Sequence, residues 1–84
     1  VEDPQDEAGL LYRAKRLAAR EPAAALALLA VHARHFADGA LAQERDVLTI
    51  RLLRRLGRRV LADWLAAEFR ARYPHSVYLP STEP

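Results

Sequence analysis

The chain has no cysteine. Disulfides and thiolate metal sites are therefore excluded, and with them the usual marker of an oxidising compartment. It has no methionine, not even at position 1; it begins Val-Glu-Asp-Pro and ends Ser-Thr-Glu-Pro. We read it as a piece of a longer protein or as a processed product, so a signal peptide or membrane anchor would lie outside these residues. A cytoplasmic and a periplasmic setting both stay open. No apolar run reaches the length of about 20 residues that spans a bilayer. Glycine occurs three times. Gly39 and Gly57 fall at expected helix ends and Gly9 stands alone, so there is no phosphate-cradling loop. The only serines, Ser76 and Ser81, lie in the tail, which leaves no Ser-His-Asp constellation. No enzymatic activity, cofactor or small-molecule substrate is expected.

What the chain does contain is alanine, leucine and arginine. Half of it is hydrophobic, with few β-branched residues, a balance that favours helix because Ala, Leu and Arg lose little on entering one. Eighty-four residues make one small domain. Such a domain buries only roughly 60–65% of its unfolded surface, and its margin of stability is thin. A neighbouring repeat or a second copy would add to it. The net charge of +2 is uneven: residues 1–42 carry five basic and six acidic groups, residues 43–84 eight and five. Twelve arginines stand against one lysine. Together with the Ala and Leu excess, that bias fits a GC-rich genome and is no nucleic-acid signal by itself.

Four amphipathic stretches follow one another. Asp3-Pro4 reads as the start of a first helix, about 4–19, since Asp caps well and Pro suits the first helical position. Leu10, Leu11, Ala14, Leu17 and Ala18 form its apolar face. Pro22 opens a second helix, about 22–36, with Ala25, Leu28, Leu29, His32 and Phe36 in one stripe. This helix is apolar nearly all round, which predicts cover on more than one side. A third helix, about 40–56, carries Leu41, Leu48, Leu52 and Leu56 on one face, with Thr49 and Leu53 beside them. Gly57 stops it, tolerating the left-handed C-terminal conformation. The fourth, about 59–73, shows Leu61, Trp64, Leu65, Phe69 and Tyr73. Pro74 ends it, and residues 74–84 form a docked or loose tail. Connections of about two or three residues predict antiparallel neighbours. There is no strand pattern.

The second and fourth stretches are one hairpin half written twice. Offset by 37 positions, Ala25 falls on Ala62, Leu28 on Leu65 and Phe36 on Tyr73. The expected fold is all-α: four antiparallel helices as two stacked helical hairpins, with Leu28, Leu52, Leu65 and Phe69 buried. A helix ending in Tyr73-Pro74-His75-Ser76 is similar to the repeat boundary of tetratricopeptide-like proteins. The nearest likeness is to bacterial envelope members such as Tol–Pal coordinators and outer-membrane assembly lipoproteins. Phe36-Ala37-Asp38-Gly39 looks like a degenerate copy, with Ala37 in place of the family's Pro. The run from Ala40 to Arg45 is similar to Ala/Leu/Arg-rich repeat domains fused to bacterial signalling and sigma-factor-associated proteins. The resemblance covers residues 5–76. The Trp-Leu-Gly-Tyr signature is missing, and 37 exceeds the usual period of about 34 residues. The resemblance implies a tetratricopeptide-like protein-interaction domain, with an inner face formed by the first helix of each pair.

The candidate partner-binding residues are Tyr12, Lys15, Arg51, Arg54, Arg55 and Arg58. The arginines, with Arg59, cluster at the end of the third helix. They read as a solvated face complementing the negative helix end, as a site for acidic protein segments or anionic lipid, or as a nucleic-acid contact. The last is disfavoured, because nucleic-acid affinity comes from neutralising many phosphates and acidic neighbours Glu44, Asp46, Asp63 and Glu68 dilute the field. Tyr12 is either core edge or an exposed contact residue beside Lys15 and Arg16. His32 and His35, with Asp38, have the spacing of a weak metal motif; His32 is better read as packed in the apolar stripe with a ring nitrogen paired. Glu2, Asp3, Asp6 and Glu7 are explained by their place at a helix start. The expected partner is another protein or peptide, or the rest of the parent chain. Self-association through Leu10 and Tyr12 of the first helix, or through Trp64 and Phe69 of the fourth, is an open route.

Overall fold

Asp6 caps the first helix. Its backbone is extended (φ −76°, ψ 170°), and its side chain accepts a hydrogen bond from Gly9 N–H at 2.6 Å. This cap satisfies one of the four donors a helix start leaves open. In the computed structural model, which describes residues 6–84, the first helix α1 therefore runs Glu7–Ala18. The expected start at Asp3-Pro4 lies outside the described residues. The helices α2 (Pro22–His35), α3 (Ala42–Arg55) and α4 (Arg59–Arg72) follow, then a short 3-10 helix, η1 (Leu79–Thr82). Among the described residues there is no strand. The fold is all-α, with α1 and α2 forming one antiparallel hairpin and α3 and α4 another. By its contacts the chain divides into two units, Val1–Arg45 and Asp46–Pro84, and the division falls inside α3.

In the first unit, Leu10, Leu11 and Ala14 of α1 and Ala25, Leu29 and His32 of α2 are buried, which follows the expected stripes closely. Leu28 is only half-buried. Glu21 gives α2 no side-chain cap. Pro22 starts it instead, with a preset φ and no N–H to leave unsatisfied. The cover expected all round α2 is not there: Ala23, Ala27, Ala30 and Arg34 are exposed. Those alanines supply helix propensity and leave little apolar surface, so they need no second layer. The link from α2 to α3 is also longer than expected, taking in residues 36–41. The ends of α2 and α3 are held there by side chains from elsewhere, described below.

In the second unit, Ala62, Ala66 and Phe69 of α4 are buried, while Leu61 and Trp64 are exposed and Leu65 and Tyr73 half-buried. The buried face of α4 is thus rotated away from its bulkiest residues. Two small alanines let the helix backbone approach its neighbours closely, and the Phe69 ring packs on Tyr73 with centroids 4.9 Å apart. The buried residues of α3 are Ala42, Arg45, Val47, Ile50, Leu52 and Leu53, and Leu56 is exposed. The expected leucine face holds at Leu52 and Leu53 and is half-buried at Leu41 and Leu48; only Leu56, which follows the helix end at Arg55, is exposed.

Gly57 does what its sequence position suggests. Its φ is +78°. Its N–H donates to Arg54 O at 3.0 Å, and Arg58 N–H donates to Leu53 O at 2.9 Å. These two bonds are the Schellman pairing that closes a helix C-terminus. A Cβ at Gly57 would meet nothing within 4 Å, so the penalty of Gly57→Ala is purely that of the backbone. We expect about 1–2 kcal/mol, read as a lower urea midpoint with an unchanged slope.

The repeat is deeper than the sequence offset suggests. Pro22–His35 and Arg59–Arg72 are separated by 37 residues at both ends, and so are the ends of α1 and α3 at Ala18 and Arg55. The buried trio Ala25, Leu29, His32 maps onto Ala62, Ala66, Phe69. Turn bonds also match: Gly39 N–H to Phe36 O corresponds to Ser76 N–H to Tyr73 O, and Ala42 N–H to Gly39 O to Leu79 N–H to Ser76 O. The start of η1 at Leu79 therefore corresponds to the start of α3 at Ala42, and buried Thr82 corresponds to buried Arg45.

Candidate interaction surfaces

One polar cluster is closed inside the first unit. Arg45 in the first turn of α3 is only 5% exposed. Its Nη1 donates to Phe36 O at 3.1 Å, and its Nη2 approaches Ala37 O at 3.4 Å. These are carbonyls at the end of α2, where a cation is favoured. Nη1 also lies 3.4 Å from Nδ1 of the fully buried His32. Arginine carries donors only, so in this contact Nδ1 is the accepting atom. Nε2 lies 3.7 Å from Glu7 Oε2. The same Glu7 oxygen accepts from Leu41 N–H at 3.0 Å, at the start of α3. Glu7 presses so close to the turn that a Cβ at Gly39 would come within 2.6 Å of its Cδ. Thus Gly39 is small to admit a carboxylate; its φ is not positive.

This cluster joins helix ends and offers no open coordination. His32 does pack in the stripe with a paired ring nitrogen, as its sequence position predicts. Glu7 does more than complement its own helix, because it reaches the start of α3. Arg45 escaped the sequence reading: a single Arg among many carries no mark of burial. Among the described residues no three His, Cys, Asp or Glu side chains are placed to hold a metal ion. His35 is exposed.

The six candidate residues divide between the two units: Tyr12 and Lys15 belong to the first, Arg51, Arg54, Arg55 and Arg58 to the second. Lys15 pairs with Glu44, within the first unit. Tyr12 is 62% exposed, with the Arg16 guanidinium 5.8 Å from its ring centre, which corrects the core-edge reading. Arg54 faces inward: it donates to Asp63 Oδ1 at 2.8 Å and to Thr82 O at 2.6 Å. It ties the tail and α4 to α3, so the docked alternative holds for the tail. Arg51, Arg55 and Arg58 are exposed. An open groove of about 410 Å³ is lined by Arg13, Arg16, Leu17, Arg20 and Glu21, none of them among the six candidates.

Among the described residues, three of the exposed large hydrophobics, Val60, Leu61 and Trp64, lie on α4, and Leu61 and Trp64 were expected in its core face. Val60, Trp64, Ala67 and Ala71 recur at helical spacing and are all exposed, with Leu61 beside them. This stripe lies opposite the buried Ala62, Ala66 and Phe69. The equivalent positions of α2 are Ala23, Ala27, Ala30 and Arg34, also exposed. Where one repeat shows alanines and an arginine to solvent, the other shows valine, tryptophan and two alanines. Trp64 is 59% and Val60 87% exposed, and neither is required for the hairpin to close. Comparison with protein-family models, curated proteins and solved structures finds no match for this chain.

Proposed function

We propose that this chain is a non-enzymatic interaction or assembly module whose partner is another protein or peptide. The observation that carries the proposal is the second apolar face of α4. A contiguous apolar stripe on a small domain marks a contact surface, and tryptophan is among the residues that dominate such contacts. The same stripe is small and partly polar in α2, so the fold itself does not call for Val60 and Trp64. We also read the two hairpins as degenerate repeats of the tetratricopeptide kind. The full burial of Ala25 and Ala62 at equivalent positions supports that reading. Helical repeats of this sort commonly present surfaces to other proteins.

The test is affinity capture with the wild-type chain and Trp64→Ala in parallel. The reading requires a partner retained by wild type and lost with the substitution. A titration against duplex and single-stranded DNA accompanies it, because Arg51, Arg55 and Arg58 form the competing surface. Micromolar DNA binding that persists at physiological salt would overturn the protein-partner reading, since a few arginine contacts lose affinity steeply with salt.

A further inference from the structure

We infer that the outward face of α4 pairs with the same face of a second copy of this chain, antiparallel and about a two-fold axis. The inference rests on the interaction reading above and names its partner. It follows from the way size and charge are ordered along the helix. The large residues of the stripe, Val60 and Trp64, lie in its N-terminal half; the small ones, Ala67 and Ala71, lie in its C-terminal half. An antiparallel pairing sets large against small along the whole contact. A parallel pairing sets Trp64 against Trp64.

Charge selects the same register. Asp63 and Arg70 share one flank of the stripe, two turns apart, and both are exposed. In a two-fold antiparallel pair, each flank meets its own counterpart. With the axis passing between Ala66 and Ala67, Asp63 lies level with Arg70 of the second copy, and Arg70 with its Asp63. In that same register Trp64 lies midway between Ala67 and Ala71 of the second copy, a gap bounded by small side chains. Packing and the Asp63–Arg70 flank thus agree on one alignment; on the other flank the two exposed Glu68 side chains face each other across the axis and weaken the pair. Asp63 already accepts from Arg54, yet its side chain is 63% exposed, which leaves room for a second guanidinium. The contact is one face of a 14-residue helix. That falls in the small-interface class below about 1,200 Å², so the dissociation constant is expected on the order of tens of micromolar.

The experiment is sedimentation of the full chain from micromolar to millimolar concentration, with fluorescence recorded on the same samples. Trp64 is the only tryptophan, so its emission reports the face directly. The expected result is a monomer–dimer equilibrium with a blue shift that follows dimer content, weakened at least tenfold by Trp64→Ala. The charge test uses two variants. R70D sets Asp against Asp63, and D63R sets Arg against Arg70, so each alone should be monomeric. An equimolar mixture should form a heterodimer, because both opposed pairs become complementary. Helix content by circular dichroism checks that D63R, which loses the Arg54 contact, is folded; if it is not, R70D and Trp64→Ala decide alone. A chain that stays monomeric with unchanged emission overturns the pairing, and so does a dimer indifferent to R70D. Neither result touches the broader interaction reading, which fails if Trp64→Ala leaves the captured protein unchanged or if micromolar DNA binding persists at physiological salt.

Discussion

Arg45→Ala is expected to destabilise the chain by about 3–5 kcal/mol, the usual result of removing one member of a buried charged cluster. Domains of this size have about 4–13 kcal/mol in total at ordinary per-residue values, so a large part of the stability would go. The reason is the number of groups stranded together. The guanidinium serves the Phe36 and Ala37 carbonyls and His32 Nδ1, and its charge stands in a cluster with Glu7. Arg45→Lys keeps the charge but lacks the fork that reaches several acceptors, so it should recover only part of the loss. Urea denaturation followed by circular dichroism measures both variants. A loss below about 1 kcal/mol for the alanine variant would show that water replaces the guanidinium, and that the cluster is not what fixes the α2–α3 turn.

Phe69→Ala is the second large effect, at about 3–5 kcal/mol. Phe69 is buried, with its ring tilted against that of Tyr73. Trp64→Ala, although it removes a larger side chain from the same helix, should change monomer stability by less than about 1 kcal/mol, because Trp64 is mostly in water. Leu65→Ala should fall between them, since Leu65 is half-buried. Thermal unfolding of the three variants at low concentration gives the order. If Trp64→Ala proved the most damaging, the outward face of α4 would be a folding surface, and its use for binding would need another explanation.

The sequence carries the helices and their punctuation well. Pro22, Gly57 and Pro74 stand where helices start or stop, for local reasons that act within a turn or two. Which side of a helix is buried was legible for α1 and α2, whose leucines and alanines keep one spacing throughout. It was not legible for α4, where two apolar stripes lie on opposite sides. Periodicity marks both equally; the bulkier one draws attention, yet the close-packed one contains Ala62 and Ala66. Long-range polar contacts were also out of reach. Glu7 and Leu41, or Lys15 and Glu44, are far apart in the chain, and no local rule links them. The lysine and arginine candidates suffered for the same reason. Lys15 and Arg54 look like solvated cations in sequence, but the fold gives each a partner.

The matched boundaries of the two hairpins bear on which insertions and deletions the chain can tolerate. Removing residues 22–58 would join Glu21 directly to Arg59. Glu21 and Arg58 hold the same place before α2 and α4, with similar ψ (68° and 63°) and no side-chain cap. The new junction would therefore reproduce a link that already occurs twice. Every later helix would keep its phase, and the Val60–Trp64 stripe would sit where Ala23 and Ala27 now do. A cut one residue longer or shorter, placed within a helix, would turn everything beyond it by about 100°. It would bring the tryptophan toward the packed side and carry the small alanines into solvent. Length change in this chain is therefore quantised: whole hairpins can be gained or lost, while single residues are tolerated only in the connections.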